Sequence, residues 1–165
     1  KEENLLFENK KGPFFDWLNG MNATSSIWEN RNKSTDILQE LGNKKMLLVH
    51  NTFMKKEELT ENYYCTCPKA NLYIENALPD YPLFDTEKLC VGTDSLASNE
   101  SLSILGELKI IQENSNFDMN TLLKIACKNG AEALDFSTLG TFEKGKIPGV
   151  NLIQNLENNK ITKLI

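Results

Sequence analysis

The strongest constraint on this chain is the unbroken apolar run Met46-Leu47-Leu48-Val49, which carries no polar alternation. A run of that kind reads as a strand covered on both faces, the pattern of parallel α/β sheets. Leu89-Cys90-Val91-Gly92 repeats it, and Tyr63-Tyr64-Cys65-Thr66-Cys67, halted by Pro68, lies between the two. Helical patterns surround these strands. The opening Lys1-Glu2-Glu3-Asn4-Leu5-Leu6 reads as helix interior, and Ser34 predicts an N-cap for Ile37, Leu38 and Leu41, with Gly42 as a left-handed stop. A short charged helix is expected over 55–61, and a polar, proline-containing linker over 79–87. Leu102, Leu105, Leu108 and Ile111 mark one face of a helix capped by Ser98 or Asn99. Asp118 opens another, through Leu122, Leu123, Ile125 and Ala126 to Asn129-Gly130. The order helix, strand, helix, strand, linker, strand, helix, helix predicts the α/β class with a parallel sheet over 1–138. Beyond it, Gly140, Gly145 and Gly149 lead to two short strands, Asn151-Leu152-Ile153 and 161–165, which predict a small β appendage over 139–165.

Composition narrows the function. The 165 residues, 40% hydrophobic and 25% charged, describe a soluble domain-sized chain, and its net charge of −5 without a dense Lys/Arg patch argues against nucleic acid as partner. No apolar stretch approaches the roughly 18 residues of a membrane span, and no signal-like segment opens the chain, so a cytoplasmic protein is expected. Lys1 is not an initiator methionine, and the sequence reads as beginning in mid-protein. Cys65, Cys67, Cys90 and Cys127 contain no Cys-x-x-Cys pair and read as reduced packing residues. The single histidine, His50, rules out a site built from several imidazoles of this chain alone.

In parallel α/β folds, polar residues at the C-terminal strand ends converge on the functional face. Three ends qualify here: His50-Asn51-Thr52, Cys67-Pro68-Lys69-Ala70-Asn71 and Gly92-Thr93-Asp94-Ser95. A carboxylate directly after a buried strand is costly to desolvate without a cation or donors, which marks Asp94 as a metal ligand or proton shuttle; an N-cap for the next helix is the alternative. For His50 the alternative is a neutral imidazole satisfied by backbone groups. No Gly-rich loop follows any strand, so a phosphate-binding doubly wound domain has no support.

The order Leu48-Val49-His50, Cys67-Pro68-x-x-Asn71-Leu72, Val91-Gly92-Thr93-Asp94-Ser95-x-Ala97-Ser98-Asn99 and Leu105-Gly106-Glu107-Leu108 resembles the C-terminal half of the metal-dependent amidohydrolases. The branch it is most similar to holds cytosine, guanine and S-adenosylhomocysteine deaminases and the chlorohydrolases. The segments 125–134 and 139–146 extend the resemblance, which spans about 38–153. It implies the last three strands of a (β/α)₈ barrel with their helices, plus short strands of an appended β-sandwich, and a divalent metal, zinc or iron, at the C-terminal mouth. It further implies that Asp94 is a metal ligand and catalytic residue that accepts the attacking water's proton and returns it to the departing amine, and that His50 is a catalytic residue that either polarises that water, holds the substrate's leaving edge, or binds the metal directly. Ser95, Ser98 and Asn99 would line the substrate mouth, while Asn71 would shape its loop; Ala70 stands where the family pattern has a serine. The implied reaction is hydrolytic deamination of a purine- or pyrimidine-like small molecule. Hydrolysis of another ring C–N or C–halogen bond is the runner-up, and a non-catalytic half-barrel assembly module a third reading.

The departures matter equally. The family's His-x-His and His-x-x-Glu have no counterpart in a chain with one histidine. Three strands cannot close a barrel, so the exposed parallel edge calls for a partner: the missing N-terminal half, or a second copy in a homo-oligomer. Alone, the chain is expected to be inactive and to hold metal weakly or not at all.

Overall fold

The computed structural model describes residues 2–23, 30–155 and 160–164. The chain forms two compact units, Lys1–Lys44 and Lys45–Ile165. In the first, α1 (Glu2–Asn9) and α2 (Pro13–Gly20) bury Leu6, Phe7 and Leu18 against each other, and α3 (Ile37–Leu41) ends at Gly42, whose φ of 68° supplies the expected left-handed stop. Ser34 does not cap α3. It opens a 3-10 turn, Ser34–Asp36, in which the Asp36 carboxylate accepts the Asn32 and Lys33 amides and so takes the capping role.

In the second unit, β1 (Leu47–Val49), β2 (Tyr63–Thr66) and β3 (Leu89–Val91) form a parallel sheet in that order, with Leu48 opposite Tyr64 and Tyr64 opposite Leu89. One face meets α5 (Ile104–Glu113) and α6 (Met119–Ala126): Tyr64, Leu89, Leu108, Ile111, Leu122 and Ile125 pack there with Tyr81 and Phe84. The other carries Tyr63, Cys65, Cys67 and Cys90. Side chains alternate between faces along each strand, so the sequence Tyr-Tyr-Cys-Thr-Cys divides its residues between these two layers. Every residue of β2 is buried, whereas Val49 of β1 is half exposed, so the full burial expected of β1 from its sequence is not reached at its C-terminal end.

Three further expectations change. The segment 55–61 contains only a 3-10 turn, Lys56–Glu58. The residues after β2 form a helix, α4 (Pro68–Glu75), because proline fits the first helical position, where no amide partner is needed, and Asn76 ends it with a φ of 51°. The α5 helix starts at Ile104 with Ser103 as N-cap, its Oγ accepting the Gly106 amide at 3.2 Å, and Ser98 and Asn99 lie in the preceding loop. Asp118 caps α6 as expected. The chain then breaks at Cys127 and resumes as α7 (Lys128–Ala133), whose Asn129 amide donates to the Thr86 and Leu89 carbonyls at 2.7 and 2.6 Å and ties the helix to the start of β3.

The predicted appendage strands pair as an antiparallel hairpin, β4 (Asn151–Asn155) with β5 (Lys160–Lys163); residues 156–159 lie outside the described segments. All four cysteines are free thiols, Cys127 exposed and the others buried. No described helix is long and apolar enough to cross a membrane.

Candidate active site

Parallel strands deliver their C-terminal ends to one edge of the sheet. At the end of β1 the ladder continues one step, the His50 amide donating to the Cys65 carbonyl at 2.8 Å, and the backbone then turns left-handed at His50 (φ 70°) and Asn51 (φ 54°). The loop after β3 does the same at Asp94 (φ 56°). Residues with a Cβ rarely occupy this region, and His, Asn and Asp are among those found there most often. His50 Nε2 and Asp94 Oδ2 stand 3.9 Å apart, across the width of β2.

Asn71, in the first turn of α4, sets the chemical state of the imidazole edge. Its Nδ2 donates to the His50 carbonyl at 3.3 Å, which turns its Oδ1 toward the ring, 2.7 Å from Nδ1. An amide oxygen only accepts, so Nδ1 carries the hydrogen of this pair, and in the neutral ring the Nε2 lone pair is the one left facing Asp94. Asn71 is 1% exposed. The sequence implies only a loop-shaping part for Asn71, because Pro68 reads as a strand stop and nothing in the spacing links Asn71 to His50.

The carboxylate of Asp94 is held by its own loop. Ser98 Oγ donates to Oδ2 at 2.6 Å. This bond, with the Ser95 amide and the adjacent imidazole, keeps the Asp94 carboxyl below the usual carboxylate range. Ser95 is exposed, and its carbonyl accepts the Ser98 amide; Ser98 is buried. Asn99 is also buried, and its polar atoms are engaged within the fold: Nδ2 donates to the Thr93 carbonyl and to Glu107 Oε1, each at 2.7 Å, and Oδ1 accepts the Ser101 amide. Beneath this layer, Gly92 leaves the room that two thiols fill, since a Cβ there would lie 3.1 Å from Cys65 Sγ and 3.4 Å from Cys67 Sγ. A hydrogen bond with the neighbouring Cys67 thiol, together with burial, pushes the Cys65 thiol well above its ordinary value, and burial pushes Cys90 up to about 11.

A tetrahedral cation held by an imidazole nitrogen and a carboxylate oxygen sets those two atoms about 3.4 Å apart. The 3.9 Å separation of His50 Nε2 and Asp94 Oδ2 is about half an ångström wider than that, so the two atoms would draw closer to take neighbouring positions around such an ion. Among the described residues, no three His, Cys, Asp or Glu side chains come together as a metal-holding group.

Residues 19–165 match the Amidohydrolase family. The chain belongs to that family. An amidohydrolase relative, the 5-methylthioadenosine/S-adenosylhomocysteine deaminase of Thermotoga maritima, is 30% identical over 112 residues, covering 57% of this chain and 27% of its own length. The solved Helicobacter pylori aminofutalosine deaminase in complex with methylthio-coformycin is 28% identical, with a TM-score of 0.71 over 90% of this chain and 39% of that one. An adenosine deaminase from Xanthomonas campestris with bound zinc shares the fold at 24% identity and a TM-score of 0.60, over 75% of this chain and 32% of its own. The chain thus spans between about a quarter and two-fifths of the length of these relatives. Its parallel α/β architecture is that of part of an amidohydrolase (β/α)₈ barrel, as the resemblance in its strand-end motifs implied.

Proposed function

We propose that this chain supplies the last three strand ends of a deaminase site that removes an exocyclic amino group from a purine-like small molecule, within a longer cytoplasmic protein. The observation that carries the reading is the approach of His50 Nε2 and Asp94 Oδ2 to 3.9 Å, with the imidazole tautomer fixed by Asn71. The deaminase relatives support the reaction class, and the structural relative bound to methylthio-coformycin supports a small-molecule substrate.

His50 and Asp94 would hold a divalent cation, zinc first, together with ligands from the rest of the barrel. When bound, such an ion lowers the pKa of a water enough for hydroxide to attack at neutral pH. The chain's own residues do the remainder. Asp94 stays ionised because Ser98 and the Ser95 amide stabilise its charged form, so its carboxylate accepts a proton from the attacking water and returns it to the amine as the C–N bond breaks. His50 keeps Nε2 aimed at the same point because its opposite nitrogen is occupied by Asn71. Ser95, Ser98 and Asn99 form the loop that borders the substrate. Residues 1–138 contribute to the barrel and 139–165 to a β appendage. The N-terminal part of the barrel is the partner this reading requires, while self-association and the activity of the isolated chain are outcomes of experiment.

The test is ammonium release from 5′-methylthioadenosine and S-adenosylhomocysteine by the full-length, zinc-loaded protein that carries these residues. Release by the wild type, abolished in Asp94→Asn, supports the reading. A folded, metal-loaded protein that releases no ammonium from any aminopurine nucleoside overturns it, and release of a different leaving group from a ring substrate moves the assignment to the wider hydrolase class.

A further inference from the structure

Glu107 lies in the first turn of α5 and is 0% exposed. Both its oxygens are engaged, and by different loops. Oε2 accepts the Lys69 backbone amide at 2.9 Å, at the start of α4. Oε1 accepts Asn99 Nδ2 at 2.7 Å, in the loop after β3. Each contact is one short step from a site residue. Lys69 precedes Asn71 by two positions in the same helical turn, and Asn71 Oδ1 meets His50 Nδ1. The same Asn99 nitrogen that reaches Glu107 also donates to the Thr93 carbonyl, the residue before Asp94.

The geometry points to Glu107 as the positioning residue of this site: a buried carboxyl that clamps the α4 turn and the post-β3 loop together and thereby sets the spacing of His50 and Asp94. The proposal rests on the reading of that pair as the metal and proton site. The chemistry of the donors explains why a carboxyl stands there. Two N–H groups converge on it, and a carboxylate offers them two acceptor oxygens, whereas an amide offers one oxygen and one NH₂. Asn99 cannot compensate by turning its amide over, because its Nδ2 would leave the Thr93 carbonyl and its Oδ1 the Ser101 amide. Lys69 Nζ, bonded to Glu100 and Ser101, adds a second, solvent-facing tie between the same two segments. Burial of the Glu107 carboxyl without solvent makes the clamp unforgiving: removing one acceptor leaves a buried donor with no partner.

The experiment uses the full-length protein with Glu107→Gln, Asp94→Asn and wild type side by side, reading thermal midpoint, zinc affinity by chelator competition, and kcat and KM per folded molecule at a temperature where all three are folded. Glu107→Gln is expected to weaken zinc binding and lower kcat by about 10- to 100-fold with KM changed far less, the range found for groups that orient metal ligands. A lowered midpoint with zinc affinity and kcat at wild-type levels assigns Glu107 to stability alone and overturns the clamp. If Asp94→Asn also retains activity, the failure lies in the underlying site reading and not in the clamp. Should Glu107→Gln not accumulate as folded protein, Asn99→Ala, which cuts the same link from the loop side, is measured with the same two outcomes deciding.

Discussion

His50 Nε2 lies 3.9 Å from Asp94 Oδ2 although the two residues follow strands that do not pair with each other, β2 lying between them. The backbone is left-handed at both positions, with φ of 70° at His50 and 56° at Asp94. If the pair acts on one ion and one proton, Asp94→Asn, which keeps the shape and removes the base, lowers kcat of the full-length protein by about 10²- to 10⁴-fold. Steady-state ammonium release checks this, and a variant within a few-fold of wild type contradicts the proton-transfer role.

Asn71 controls which imidazole nitrogen is free. Asn71→Ala removes the acceptor for Nδ1–H and the donor to the His50 carbonyl together, and zinc affinity is expected to fall about 10- to 100-fold, as for other partners of metal-ligating histidines. Chelator competition on the apo protein measures it. Unchanged affinity means that His50 is oriented by something else.

The Asp94 carboxyl lies below its usual range chiefly because Ser98 donates to it. A group whose folded pKa is depressed stabilises the fold above its unfolded pKa, about 3.9 for Asp, and that contribution is lost as pH falls through the lower folded value. Ser98→Ala raises the folded value. In the metal-free protein, the variant therefore loses less stability than wild type as the pH drops below the unfolded value. Urea unfolding of the metal-free wild type and variant between about pH 3 and pH 7 checks this, and identical losses of stability remove Ser98 from this role.

Asn129 is fully buried at the other end of β3, where its amide joins α7 to the Thr86 and Leu89 carbonyls. Asn129→Ala is expected to destabilise the protein by about 1–3 kcal/mol, since two buried carbonyls lose a donor, without changing kcat per folded molecule. Urea unfolding and steady-state rates separate the two, and a kcat loss at full stability contradicts a purely structural part.

Much of this arrangement is legible in the sequence because strand burial writes itself as apolar runs. The three strands, the parallel class, the Asp118 cap and the hairpin after 150 all follow from local pattern. So do His50 and Asp94, which stand at strand ends beside residue types that tolerate left-handed backbone. What local pattern does not carry is partnership across the chain. Pro68 reads equally as a strand stop and as a helix start, and only the second puts Asn71 beside His50. Ser98 and Asn99 have the chemistry of helix caps, yet their side chains serve Asp94 and Thr93 in a loop, and Ser103 caps the helix instead. Glu107 looks like an ordinary first-turn acid, and its two N–H partners lie 38 and 8 residues away.

The most direct measurement is anomalous diffraction at the zinc edge from crystals of the full-length, zinc-loaded protein. The account predicts a peak within about 2.0–2.2 Å of both His50 Nε2 and an Asp94 carboxylate oxygen, the remaining ligands coming from outside these residues. A zinc peak bound elsewhere, with His50 and Asp94 both outside its coordination sphere, contradicts it.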